Sequence, residues 1–326
     1  MTRIFRGGYP LIAALALAVW QPALAAAEDD GQPEPSDARW SLALATEVDQ
    51  QTNRGFEGQV GYLLTPGTSI RLAANSVSYY ATASNGFSST GLELGAAHDF
   101  AHWTLDAALG RWQDTDILTA EELKLGADLP FKPWTIGLRG MFRRSGFEPL
   151  TVDTTVTLGD GTQLPVSASS SCTLDNTGLG LHGAFGGEVW GAYLTAMNYQ
   201  YQQASCSFDM PGLEALHRPD RAEFTQLESA LVDPLETVGV RRIGRENALL
   251  ASNVDAGTSW KHEDLIVSLE YARQKEYFSG AHSNTLSATG TADLGDKSGV
   301  DVTLGLTRGS TVQSGAFVGL GVHAHF

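Results

Sequence analysis

The sequence predicts an all-β fold, an antiparallel up-and-down barrel of about fourteen strands, with twelve or sixteen as the neighbouring counts. Three observations predict it. The final residues, FVGLGVHAHF, alternate strictly. Phe326, Ala324, Val322, Leu320, Val318 and Ala316 share an apolar face, while His325, His323, Gly321, Gly319 and Phe317 share the other. The same period of two recurs along nearly the whole chain, broken by turn residues. Nothing after residue 25 reaches eighteen consecutive apolar residues, and the 36 glycines suit many short strands and turns.

The first strand runs from Arg39 to Val48, with Trp40, Leu42, Leu44, Thr46 and Val48 on one face. The second, Gly55 to Leu64, places Phe56, Val60, Tyr62 and Leu64 together, and Thr65-Pro66-Gly67 turns the chain. The third spans Thr68 to Thr82 (Ile70, Leu72, Ala74) and ends before Ser84-Asn85-Gly86. Ser88 to His98 carries Leu92, Leu94 and Ala96, and His102 to Gln113 carries Trp103, Leu105, Ala107 and Leu109. Thr119 to Leu129 is the sixth, and Pro130 to Pro133 turns it into the seventh, Trp134 to Arg144. A polar stretch from Ser145 to Asp175 reads as a loop.

Asn176 to Phe185 is the eighth strand, and Gly186-Gly187 leads into the ninth, Val189 to Gln203. The outward face of the ninth is open. Tyr193, Met197, Tyr199 and Tyr201 compete for it with Trp190, Ala192 and Leu194. A second insertion fills Ala204 to Glu246. The remaining strands are Asn247 to Trp260, Leu265 to Tyr277, Thr285 to Leu294, Gly299 to Thr307 and Thr311 to Phe326. Connections alternate between short turns and a set that includes both long insertions, as expected for a barrel with one short-turned rim.

The two faces differ in charge. The apolar face has almost none. The other collects Glu47, Asp49, Glu57, Glu93, Asp106, Glu122, Asp128, Asp255, Glu270, Asp293 and Asp301, against Arg71, Lys124, Arg139 and Arg143. A charge on a lipid-facing side costs roughly 2–4 kcal/mol near the midplane, so this segregation predicts a transmembrane barrel. Inside, the carboxylates either line an acidic, hydrated lumen or pair with the bases and fill it. Inward Gly95, Ala97, Gly110, Gly126, Gly305, Gly319 and Gly321 leave space, and fourteen strands lie nearer the channel-forming than the side-chain-filled sizes.

The start of the chain reads as a secretory signal over residues 1–25: basic Arg3 and Arg6, apolar Leu11 to Val19, and an Ala23-Leu24-Ala25 cleavage site. No cysteine follows closely, which argues against a lipoprotein anchor. A polar leader over 26–38 precedes the barrel at 39–326. The whole chain carries a net charge of −16, and losing the two signal arginines makes it more acidic. That excludes a nucleic-acid binder held by phosphate contacts.

Export to an oxidising compartment predicts a disulfide between Cys172, before the eighth strand, and Cys206, after the ninth, because those hairpin ends meet. In the second insertion, Arg218-Pro219-Asp220 reads as a helix start, with Phe224, Leu227 and Leu231 at helical spacing and Pro234 beyond. Arg241, Arg242 and Arg245 follow. They either form a constricting lid over the lumen acids or belong to a solvated outer loop. His323 and His325 read as polar lumen lining. His282-Ser283-Asn284 repeats residue types used by outer-membrane phospholipases, but consecutive strand residues point to opposite faces and the wider motif is absent. No enzyme, cofactor or metal site is expected.

The terminal alternating strand ending in Phe326, the exported chain and the loop asymmetry together resemble Gram-negative outer-membrane porin-like β-barrels as a class. The resemblance implies residence in the outer membrane, contact with its lipid and lipopolysaccharide, and insertion by the barrel-assembly machinery, with Phe326 as part of the insertion signal. It also implies passive diffusion of small hydrophilic solutes. The expected pore lining is Glu57, Arg71, Glu93, Asp106, Lys124, Arg139, Asp255, Glu270, Asp293 and Asp301, whose excess of acids predicts a preference for cations. The alternative is a structural or assembly barrel for surface-polysaccharide or protein export, with periplasmic partners.

Overall fold

The computed structural model describes residues 39–50, 53–80, 86–114, 118–157, 163–202, 204–209, 249–277, 280–295, 297–310 and 315–326. The expected signal, the leader, the helix after Arg218 and the three arginines Arg241, Arg242 and Arg245 lie outside them.

Fifteen strands follow one another: β1 (Trp40–Asp49), β2 (Arg54–Thr65), β3 (Thr68–Tyr80), β4 (Gly86–Asp99), β5 (Thr104–Asp114), β6 (Leu118–Phe131), β7 (Trp134–Thr157), β8 (Gln163–Gly186), β9 (Trp190–Tyr201), β10 (Ser205–Asp209), β11 (Leu250–His262), β12 (Leu265–Glu276), β13 (His282–Asp293), β14 (Ser298–Gly309) and β15 (Gly315–His325). Neighbours pair antiparallel, β1 closes on β15, and β9 joins β8 to β11. β10 resumes the course of β9 along β8 after a break at Gln202. The barrel therefore closes with fourteen strands. Closure gives every ladder N–H and C=O a partner, which a hydrocarbon surround demands. The seam is tied at its end by Trp40, whose N–H donates to the Phe326 carbonyl at 3.0 Å while the Phe326 N–H donates back at 2.9 Å.

Register follows from the lipid-facing pattern. One outward row runs Leu42–Val60–Leu72–Leu94–Leu109–Leu123–Phe142 across seven consecutive strands in direct opposition. A slip of one residue would turn any strand's leucines into the lumen and its charges into lipid. At the rim holding the short turns, aromatic rings form a girdle. Trp40 lies against Tyr62 at 4.5 Å, Phe100 stacks on Trp103 at 4.2 Å, and Trp134, Phe185 and Trp190 touch in series at 5.0 and 4.5 Å. Such belts sit at the membrane–water boundary. The short turns mark this rim as periplasmic and the opposite rim as outer.

Two features differ from the sequence reading, and one that it left open, the face of β9, is resolved. The polar stretch Ser145 to Asp175 is not a loop: β7 and β8 continue through it as a hairpin, paired from Leu150↔Ser170 to Thr157↔Gln163 beyond an irregularity after Phe147. Cys172 therefore lies within β8 rather than before it. In β9, Trp190 and Leu194 are exposed outward, and Tyr193, Met197, Tyr199 and Tyr201 point into the barrel.

Candidate pore

The inward face divides into two arcs of different electrostatic character. On β3 to β7 every inward base has a carboxylate. Arg71 meets Glu93 at 3.0 Å, and Lys124 bridges Glu93 at 2.7 Å and Glu122 at 3.4 Å. Arg143 reaches Glu122 at 2.5 Å, and the Trp112 Nε1–H donates to the same carboxylate at 3.1 Å. Below this chain, Arg139 grips Asp128 with two N–H groups at 2.8 and 2.9 Å, the bidentate geometry that strengthens guanidinium–carboxylate pairs. Asp106 occupies the same wall, lying over Gly126. The arc is close to charge-balanced.

The other arc, on β9, β11–β15, β1 and β2, presents Glu47, Asp49, Glu57, Asp255, Glu270, Asp293 and Asp301 inward. No lysine or arginine pairs with Glu47, Glu57, Asp255 or Asp301 among the described residues. On β11, Asn253 and Asp255 are 5% and 7% exposed, and the Asn253 amide donates to Asp255 Oδ2 at 2.6 Å. Asn253 Oδ1 and Asp255 Oδ1 have no hydrogen-bond partner. One amide N–H is committed to Asp255, and the two oxygens remain as unpartnered acceptors. Tyr193 hydrogen-bonds Glu270 on the next strand but one. Toward the periplasmic rim, His323 lies 3.3 Å from Asp301 and 3.8 Å from Asp293, and Thr291 donates to Asp301 at 2.6 Å.

Glycines make room for the large inward side chains. Tyr193 faces Gly257 across the β9–β11 ladder, and Phe317 faces Gly305 across β14–β15. A Cβ on either glycine would overlap the opposing ring. The rings thus lie flat along the wall instead of standing into the lumen. Nearer the outer rim, the inside surface turns apolar: Leu118, Phe147, Cys172, Leu174 and Leu249 are buried together, with Trp112, Tyr201 and Ala204 against them.

The structure thus brings Arg71, Glu93 and Lys124 together, pairs Arg139 with Asp128, and leaves Glu57, Asp255, Glu270, Asp293 and Asp301 on the opposite arc. It places Cys206 directly opposite Cys172 in the β8–β10 ladder. Trp112, Tyr193 and Asn253 belong to the same inward face and were absent from the sequence-level lining. Their strand parity was the signal that could have found them.

No protein-family model and no curated protein matches the chain. Solved structures do. A structure described as the CymD monoaromatic hydrocarbon channel matches with a TM-score of 0.51 and 9% identity over 89% of each chain. The outer membrane protein OpdK from Pseudomonas aeruginosa matches with a TM-score of 0.37 and 11% identity, over 89% of this chain and 99% of that one. OmpT of Vibrio cholerae matches with a TM-score of 0.42 and 10% identity, over 88% and 96%. The closed antiparallel wall, its outward leucine rows and its aromatic girdle give this chain the fold of a fourteen-strand outer-membrane β-barrel.

Proposed function

We propose that the barrel is a passive diffusion channel for small hydrophilic solutes, with a preference for cations. The supporting observation is the asymmetry of the inward face. One arc neutralises its own charges, and on the other Glu47, Glu57, Asp255 and Asp301 have no lysine or arginine partner among the described residues. Fixed negative charge in a confined, partly low-dielectric space concentrates cations and repels anions. Glu57, Asp255, Glu270, Asp293 and Asp301 carry the preference in this reading, and Arg71, Glu93, Asp106, Lys124 and Arg139 form the balanced wall. No catalytic role is assigned to any of them.

Planar-bilayer recording tests the proposal. The purified barrel should conduct, and its reversal potential in a salt gradient should show cation preference. The double variant Asp255→Asn, Asp301→Asn should weaken that preference while leaving the barrel folded. A folded barrel that stays electrically silent would sink the channel reading and favour the assembly role with export partners.

Two further assignments belong to this reading. Cys172 and Cys206 form a disulfide at the outer rim: directly opposed strand residues have Cα atoms about 4.5–5.5 Å apart, within the range a disulfide spans. The second is insertion by the barrel-assembly machinery, with Phe326 on the closing strand as part of the signal. Deleting Phe326 should lower the amount reaching the outer membrane, and undiminished insertion would remove that role.

A further inference from the structure

The outward residues just above the hydrocarbon band form a second charge pattern, independent of the lumen. On several strands the outward position immediately beyond the last apolar residue is basic: Arg111 after Leu109, Arg144 after Phe142, Arg273 after Tyr271 and Arg308 after Leu306. These rows are treated differently in two sectors of the wall.

On β5 to β8 the row reads Arg111–Glu121–Arg144–Asp175 in direct register. Signs alternate, and Arg144 bonds Asp175 through two N–H groups at 2.9 and 3.0 Å. In this sector each base faces a carboxylate across the ladder. On β12 to β14 the corresponding row reads Arg273–Asn284–Arg308. Lys275 is the next outward position above Arg273. All three bases are exposed, and none has an ion-pair partner among the described residues. The Tyr271 hydroxyl donates to Asn284 Oδ1 at 2.8 Å, so the amide's remaining polar atom is a donor. The three bases and the Asn284 amide N–H groups are the donors left over in this patch. Neighbouring strands are about 4.8 Å apart, which puts Arg273 and Arg308 about 10 Å apart at their Cα atoms. Two guanidinium groups at that spacing converge on one anionic group or hold two adjacent ones. Tyr271, Leu286 and Leu306 fix the depth, because they are the last outward apolar residues on the three strands.

We propose that Arg273, Asn284, Arg308 and Lys275 bind the phosphate groups of lipopolysaccharide in the outer leaflet. Exposed cationic donors at the level where hydrocarbon gives way to headgroups are complementary to an acceptor-rich phosphate. The lumen and its ion preference play no part in this site.

The test uses the full-length barrel in detergent. Wild type and the triple variant R273Q/K275Q/R308Q are titrated with lipopolysaccharide, with the same lipopolysaccharide after phosphatase treatment, and with inorganic phosphate as competitor, and bound lipid is read by native mass spectrometry. Heat-modifiable migration on gels reports folding. The triple variant should bind lipopolysaccharide about tenfold more weakly or worse. Phosphatase-treated lipid should bind wild type as poorly, and inorganic phosphate should leave lipopolysaccharide in place. Arg144→Gln, in the self-paired sector, should bind like wild type. Equal binding by the triple variant, or by the dephosphorylated lipid, overturns the assignment. So does a loss in Arg144→Gln as large as in the triple variant, which would mean undirected attraction to positive charge. Ready displacement by inorganic phosphate would make this a site for free anions and not for lipid. The phosphatase arm decides the matter even if the triple variant does not fold.

Discussion

Replacing Glu122 with glutamine removes one charge and almost no volume from the most interconnected carboxylate of the barrel. Glu122 has a side chain only 6% exposed and receives Arg143, Lys124 and the Trp112 indole. Lys124 keeps Glu93 at 2.7 Å, so its loss is partial. Arg143 is more buried: its side chain is 14% exposed, and its guanidinium reaches Glu122 at 2.5 Å. Removing one member of a buried ion pair costs about 3–5 kcal/mol, because the survivor stays desolvated. The second carboxylate on Lys124 and the remaining amide oxygen pull the value to the lower end, about 3 kcal/mol. Equilibrium urea unfolding in phospholipid vesicles reads this directly. A cycle with Arg143→Met sharpens it. Once the guanidinium is gone, Glu122→Gln should cost less by about 2 kcal/mol, since the pair is lost only once. If Glu122→Gln lies within about 0.5 kcal/mol of wild type, or the two changes add, the carboxylate is not a buried junction and the account of the balanced arc is wrong.

Other outcomes follow from the same geometry. Leu138→Arg places a charge at an outward position 63% exposed, midway between the Trp134 girdle and Phe142; it should destabilise the barrel in vesicles by about 2–4 kcal/mol, and Gly137→Arg would not be an informative control because Asp128 already lies over that glycine. Gly305→Val should push the Phe317 ring off the wall into the lumen; single-channel conductance should fall, and unchanged conductance in a folded variant would refute the flat-ring description. Cys172→Ala should abolish the mobility difference between reduced and oxidised samples on gels, whereas labelling of both thiols in protein taken directly from cells would disprove the bridge.

The strand count, the strand faces and the acidic character of the interior were legible because lipid enforces a period of two on the outside. The leucine row from Leu42 to Phe142 is that rule written in residues. The hairpin through Ser145 to Asp175 was not legible, because beyond the membrane both faces meet water and the alternation disappears. What remains there is a β-favouring run of threonine, valine and serine without a pattern to read. The inside–outside choice in β9 was undecidable from one strand, since tyrosines suit a girdle as well as a lumen. It is settled across strands, where Tyr193 meets Gly257 and Tyr199 lies on Gly178. The ion pairs also needed register: Arg71 and Glu93 are 22 positions apart in sequence, and nothing local in the chain says they touch.

The long hairpin formed by β7 and β8 changes how the cell surface meets this protein. From Ser145 to Thr157 the chain advances by about 3.3 Å per residue, and after a barrel-like tilt it rises about 30 Å above the membrane boundary. An epitope spliced between Thr157 and Gln163 would then be reached by antibody on intact cells, which makes this hairpin a mast for surface display and a foothold for anything that approaches the bacterium from outside.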